Sequence, residues 1–257
     1  MRITMGKPKK VKLAGGFRSP AEDEVGLRNK ASFDRNPSSW ETKMENFPKY
    51  TRFQNITRFL ALYEIYKMVL NVKGSIVECG VYHGFGVMSY LNFSTILDHV
   101  NLTRRIYGFD SFKGFPTVSK KDKTKTATIK KNDLHVDSYD EIMELASTHD
   151  SVRFLGHIPK VSLIKGDAAK TIPKFIEENP HVLISLLFLD FDLYEPTKVA
   201  LENFLPRMPK GAIVAFDELD NPLWPGETQA LLDVCGPNSL KLERLPFDPY
   251  ISFARIE

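Results

Sequence analysis

Five short, largely apolar runs, each ending on an acid or followed at once by a glycine, set the architecture open to this 257-residue chain. The clearest is Leu183-Ile-Ser-Leu-Leu-Phe-Leu-Asp190, which has no polar face. A strand apolar on both sides of its pleat must be covered on both sides, the situation of a parallel sheet between helix layers. The companion runs are 75–79, 105–110, 162–165 and 211–217, and helix-period segments at 51–70, 84–100, 168–179, 197–205 and 228–234 separate or flank them. Strands alternating with helices predict an α/β fold. Two last runs, 240–245 and 250–256, flank Pro246-Phe-Asp-Pro249 and predict an antiparallel hairpin at one edge.

Two segments fall outside this alternation. Residues 1–50 are poor in aliphatic side chains, are punctuated by Gly15, Gly16, Pro20, Pro37 and Pro48, and read as an extended arm ahead of one domain, 51–257. Residues 117–160 are a long polar insertion with one predicted helix near 139–146. The net charge of +3 hides a division. Residues 1–20 carry Arg2, Lys7, Lys9, Lys10, Lys12 and Arg18 without an acid, and 120–131 carry six lysines and Asp122, which leaves the rest of the chain at −8. Without apolar periodicity both basic segments read as solvated tails or lids rather than nucleic-acid contacts. No apolar span approaches the ~20 residues of a membrane helix, and no signal-peptide pattern opens the chain. Cys79 and Cys235 cannot build a disulfide framework or a four-ligand zinc site. Together these features predict a cytoplasmic protein with no membrane and no nucleic-acid partner.

The chemistry lies at the strand ends. Glu78-Cys-Gly80-Val-Tyr82-His-Gly84-Phe-Gly86 follows the first strand and opens a helix. Ligands of open α/β sheets bind at the carboxyl ends of strands, where glycines let backbone approach them. The spacing is not the G-x-G-x-x-G of a dinucleotide site, and a carboxylate there would repel a pyrophosphate. Glu78 suits a cationic ligand such as the aminopropyl end of S-adenosylmethionine. Asp110, about 30 residues on, is placed to accept two ribose hydroxyls. Gly166-Asp167 ends the third strand, where an acid can accept an adenine amino group.

Leu189-Asp190-Phe-Asp192 and Phe216-Asp217-Glu218 close the two most apolar strands and bring four carboxylates to one crevice. Such a cluster raises its own pKa values unless a cation is shared. Oxygen-only donors suit Mg²⁺, Ca²⁺ or Mn²⁺. The cation would position a substrate hydroxyl and make it more acidic, leaving one carboxylate as general base. Trp224, in Trp224-Pro-Gly-Glu-Thr228, is a candidate for the acceptor pocket. His83 and His157 read as structural.

These stretches, together with Phe109-Asp-Ser111-Phe-Lys-Gly-Phe-Pro116, Leu163 to Pro173 and Pro209-Lys-Gly-Ala-Ile-Val-Ala-Phe-Asp-Glu218, resemble the macrocin O-methyltransferase family in content and order. That family comprises S-adenosylmethionine-dependent enzymes that methylate sugar hydroxyls in antibiotic and polysaccharide biosynthesis. The resemblance implies a Rossmann-like class I methyltransferase fold. Its mostly parallel seven-stranded sheet has a reversed C-terminal strand, with an N-terminal helical arm and a lid insertion at 117–160. By family role Glu78, Gly80, Tyr82 and Gly84 would meet the methionine end of S-adenosylmethionine, Asp110 and Ser111 the ribose, and Gly166 and Asp167 the adenine region. Asp190, Asp217 and Glu218 would hold Mg²⁺ or a similar cation, and Asp192 would take the acceptor proton. Relatives carry two aspartates where this chain has Asp217-Glu218. The implied partner is a small-molecule acceptor with a sugar hydroxyl, and a homo-oligomer is expected. A catechol or other small phenol is the alternative acceptor, because two vicinal oxygens would suit the same cluster. Asn221-Pro-Leu-Trp224 looks like the tetrapeptide of amino-methyltransferases but follows the wrong strand for nucleic-acid methylation.

Overall fold

The computed structural model describes Leu13, residues 18–236 and residues 238–257. Of the basic N-terminal side chains, Arg2, Lys7, Lys9, Lys10 and Lys12 lie outside the described residues. The strands are β1 (Ser75–Cys79), β2 (Ile106–Asp110), β3 (Val161–Lys165), β4 (Ile184–Leu189), β5 (Ile213–Phe216), β6 (Glu243–Arg244) and β7 (Ser252–Arg255). They form one seven-stranded sheet in the order β3-β2-β1-β4-β5-β7-β6. The first five are mutually parallel, and β7 runs antiparallel to both β5 and β6. The predicted α/β sheet and terminal hairpin are both present. The strand expected over 240–245 is reduced to Glu243–Arg244, both exposed at the sheet edge.

Consecutive residues of each central strand go to opposite cores. Ile76, Ile106, Leu186 and Phe188 pack with Leu62 and Tyr66 of α3 (Phe53–Met68) and with Tyr90 and Phe93 of α4 (Phe85–Leu97). Val77, Phe109, Leu187 and Leu189 pack with α6 (Ala168–Glu178), α7 (Tyr194–Phe204) and α8 (Pro225–Val234) through Phe175, Phe204 and Leu231. All six residues of β4 are buried, as a strand sandwiched between helix layers requires.

Residues 20–45 are not the extended arm that composition suggested but helical, as the family resemblance implied. They form α1 (Pro20–Arg35) and α2 (Trp40–Glu45). Ser19 caps α1 in a reciprocal box with Glu22, and Pro20 takes the first helical position, where its missing N–H costs nothing. Neither helix buries a residue, so no apolar stripe was there to reveal them.

The insertion holds α5 (Tyr139–Asp150), four residues longer than the apolar pattern indicated. Side-chain hydrogen bonds pin the insertion to the rest of the fold. Ser138 donates to the Tyr82 carbonyl, and buried Asp122 accepts the Tyr194 amide at 2.6 Å, capping the start of α7. Among the described residues no helix is long and apolar enough to cross a membrane.

Candidate active site

The strand order reverses between β1 and β4, and the crevice at that switch point is where open α/β sheets bind ligands. A cavity of about 430 Å³ opens there. Gly80 forms its floor. Gly80 has φ +96°, and a Cβ on it would stand 1.9 Å from the Asp190 carbonyl oxygen, so only glycine lets the β1 turn lie against the end of β4.

One end of the cavity, at the close of β2 and β3, is lined by Asp110, Ser111, Gly166 and Asp167; Gly80 and Tyr82 line it beyond β1, and Asp190, Asp192 and Glu218 line the other end, beyond β4 and β5. The acids at the first end also hold the backbone. Asp110 Oδ2 accepts the amides of Val81 and Tyr82, both at 2.8 Å, and its Oδ1 accepts that of Phe112 at 2.7 Å. Asp167 caps α6 through the Ala169 amide. Three predicted site residues do not line the cavity: Asp217, which is held by Arg58, and two of the predicted cofactor contacts. Glu78 is buried beneath the turn against Gly86, and Gly84 meets Ile142 of the insertion; neither lines the cavity. Phe115, Leu193, Leu223 and Trp224 form a small apolar cluster with Ala127 at the mouth. Trp224 also faces a second, adjoining cavity of about 280 Å³ lined by Arg18, Arg52, Asn55 and Glu218. His83 stacks edge-on against Tyr82.

Asp192, three residues past β4, has φ +62°. Aspartate is among the few non-glycine residues that tolerate this region, which turns the chain sharply between strand and helix. Asp217 and Glu218 follow β5. Burial, then repulsion from Asp217, lifts Asp190 to about 8; burial, then the charges of Asp217 and Asp190, lifts Glu218 to about 9. Asp192 is likewise raised well above its ordinary value by burial and then by Asp190.

Sequence reasoning missed two residues here. Arg58, on α3, donates from Nη2 to Asp190 Oδ2 at 3.0 Å and from Nη1 to Asp217 Oδ1. Fully buried Glu227, on α8, accepts the Glu218 amide at 2.6 Å and so fixes the backbone that carries that carboxylate. A lone arginine in an amphipathic helix carries no local signal of its partner 132 residues away. Glu227 lies inside the Trp224 motif, which pointed only to its tryptophan as a candidate for the acceptor pocket.

Between the ordinary carboxylate values of 3.8 and 4.5 and these raised ones, the folded chain holds more protons than the unfolded chain, so its stability falls as pH rises. Urea unfolding of the ligand-free protein is expected to show a lower midpoint at pH 8.5 than at pH 5.5. An equal or higher midpoint at pH 8.5 contradicts the carboxylate crowding.

The strand order with its reversed β7, and the acid-rimmed crevice at the switch point, define a class I methyltransferase fold. The chain belongs to the macrocin-O-methyltransferase (TylF) family, whose sequence model matches residues 45–233. The crystal structure of CalS11, a calicheamicin methyltransferase, superposes with a TM-score of 0.91 at 35% identity, covering 98% of each chain. An apo structure of CalS11, described as a TDP-rhamnose 3'-O-methyltransferase of calicheamicin biosynthesis, gives 0.81 at 34% identity over 93% of this chain and 95% of that one. A Streptomyces olivaceus protein described as 8-demethyl-8-(2,3-dimethoxy-alpha-L-rhamnosyl)-tetracenomycin-C 4'-O-methyltransferase is 29% identical over 151 residues, 57% of this chain. That match spans about half of the relative's own length, 53%.

Proposed function

We propose that this protein transfers the methyl group of S-adenosylmethionine to a hydroxyl of a deoxysugar, either nucleotide-linked or already attached to a natural product. The observation that carries the reading is the single cavity joining Asp110 and Asp167 to Asp190, Asp192 and Glu218 in a member of this family. Relatives described as acting on rhamnose hydroxyls support the acceptor class. The nucleoside would lie over Ser111 and Gly166 between the two acids of the first end. The sulfonium would point toward Asp190 and Asp192, whose negative field favours it. The adjoining cavity beyond Trp224 would take the acceptor, and the insertion would cover both as a lid.

In the transfer, the acceptor oxygen attacks the methyl carbon in line with the departing sulfur. The C–O bond forms as the C–S bond breaks, and Asp192 takes the hydroxyl proton. Asp190, Asp217 and Glu218 fit a divalent cation by chemistry. They offer oxygen donors only, and one guanidinium does not neutralise the four carboxylates. When bound, Mg²⁺ would make the hydroxyl more acidic and fix its position. Glu218 supplies a carboxylate of the same charge as the second aspartate of relatives, with its backbone set by Glu227.

Isothermal titration tests the cofactor assignment. S-adenosylhomocysteine is expected to bind at micromolar strength and NAD not at all; no heat with S-adenosylhomocysteine refutes the reading. Turnover should then appear with a TDP-deoxysugar or a rhamnosylated glycoside and be absent with catechol.

A further inference from the structure

Arg58 stands where a shared cation is expected. Its guanidinium spans Asp190 and Asp217, one nitrogen on each carboxylate, and its carbon lies 5.1 Å from the centre of the Phe188 ring, on the strand that ends at Asp190. Among the described residues no three His, Cys, Asp or Glu side chains are grouped as a metal cage. With Arg58 in place, two of the three predicted ligands face a positive group. A divalent cation brought to the same two carboxylates would meet that charge at close range, and like charges there repel.

We propose that Arg58 is a resident counter-cation that exchanges with a divalent metal at Asp190 and Asp217. This rests on the metal-assisted reading given above. The helix need not move for the exchange, because Ala61, Leu62, Ile65 and Tyr66 anchor α3 in the core. The side chain is the part that would move, and 24% of it is accessible. It also has a place to go. Asn55 and Gln54, one helical turn earlier, line the adjoining cavity, where Glu22 offers a carboxylate. Held between Asp190 and Asp217, the guanidinium keeps the two side chains together at the place a metal would take. Metal affinity is thereby weaker than the carboxylates alone would give.

The test measures Mn²⁺ binding to the full chain by calorimetry, for the wild type, Arg58→Gln and Arg58→Lys, with S-adenosylhomocysteine titrated into the same preparations. Arg58→Gln is expected to bind Mn²⁺ at least tenfold more tightly than the wild type. Arg58→Lys should fall between them, since an ammonium is a point charge that cannot bridge two carboxylates as a fork does. Without metal, Arg58→Gln should unfold at a lower temperature than the wild type, and Mn²⁺ should raise its unfolding temperature more. Mn²⁺ binding equal to or weaker than wild type in both variants, with S-adenosylhomocysteine binding intact, overturns the exchange. Should Arg58→Gln fail to fold, an unchanged affinity in Arg58→Lys overturns it equally. Absence of Mn²⁺ binding in all three overturns the metal reading and the exchange with it, and loss of S-adenosylhomocysteine binding in the wild type overturns the cofactor reading instead.

Discussion

Replacing Asp192 by asparagine is expected to lower kcat by about a hundred- to ten-thousand-fold, the range over which a positioned general base contributes, while S-adenosylhomocysteine binds as before. The two side chains have nearly the same shape, and asparagine tolerates the left-handed backbone at least as well as aspartate, so φ +62° is retained at this position. What is lost is the proton acceptor. Asp192 sits at the cavity wall between β4 and α7, and burial, then the charges of Asp190 and Glu218, make it a stronger base than a solvated aspartate. Single-turnover methyl transfer at saturating acceptor measures the effect directly. A rate within a few-fold of wild type would assign proton removal elsewhere.

Gly80→Ala is expected to lose about 3 kcal/mol or more of stability, from the strained positive φ and from steric overlap together, and most of the methyl-transfer activity. The added Cβ would lie 1.9 Å from the Asp190 carbonyl oxygen and 2.7 Å from its carbon. These are backbone atoms, so no rotamer change relieves the clash. β1 and β4 must separate at the end where Asp190 hydrogen-bonds back to the Cys79 carbonyl at 2.8 Å. Urea unfolding reads the stability, and the S-adenosylhomocysteine affinity of the remaining folded protein reads the displaced cavity. By contrast, a Cβ on Gly26, inside α1, meets nothing within 4 Å, and Gly26→Ala should leave S-adenosylhomocysteine affinity unchanged and raise stability, by up to about 1 kcal/mol.

Much of this molecule is legible in local pattern, because burial on both faces of a parallel strand leaves a signature that needs no partner to be read. β4 is the clearest example: eight apolar-dominated positions predicted six buried residues at the centre of the sheet. The acids at the ends of β2, β4 and β5 were legible for the same reason, since a charge that closes an apolar run must sit at the sheet's rim. Helices α1 and α2 were not, because capping and exposed ion pairs such as Arg28 with Glu24 organise them without an apolar stripe. The start of α8 at Pro225, three residues before its apolar period begins, was missed through the same reliance on periodicity.

By itself, then, the sequence determined the alternating architecture, the reversed terminal hairpin and the set of carboxylates gathered at the crevice. Only the tertiary structure decided which of those carboxylates face the cavity. Glu78 closes the first strand as legibly as Asp110 closes the second, yet it turns beneath the glycine loop and is buried there. The structure alone also brought Arg58 and Glu227 to the cluster, from α3 and α8. The physical reason is that charge pairing and amide capping act over a few ångströms in space with no periodicity along the chain. Their partners are set by how helices dock on the sheet, and docking depends on the apolar faces rather than on the charged residues that meet as a result.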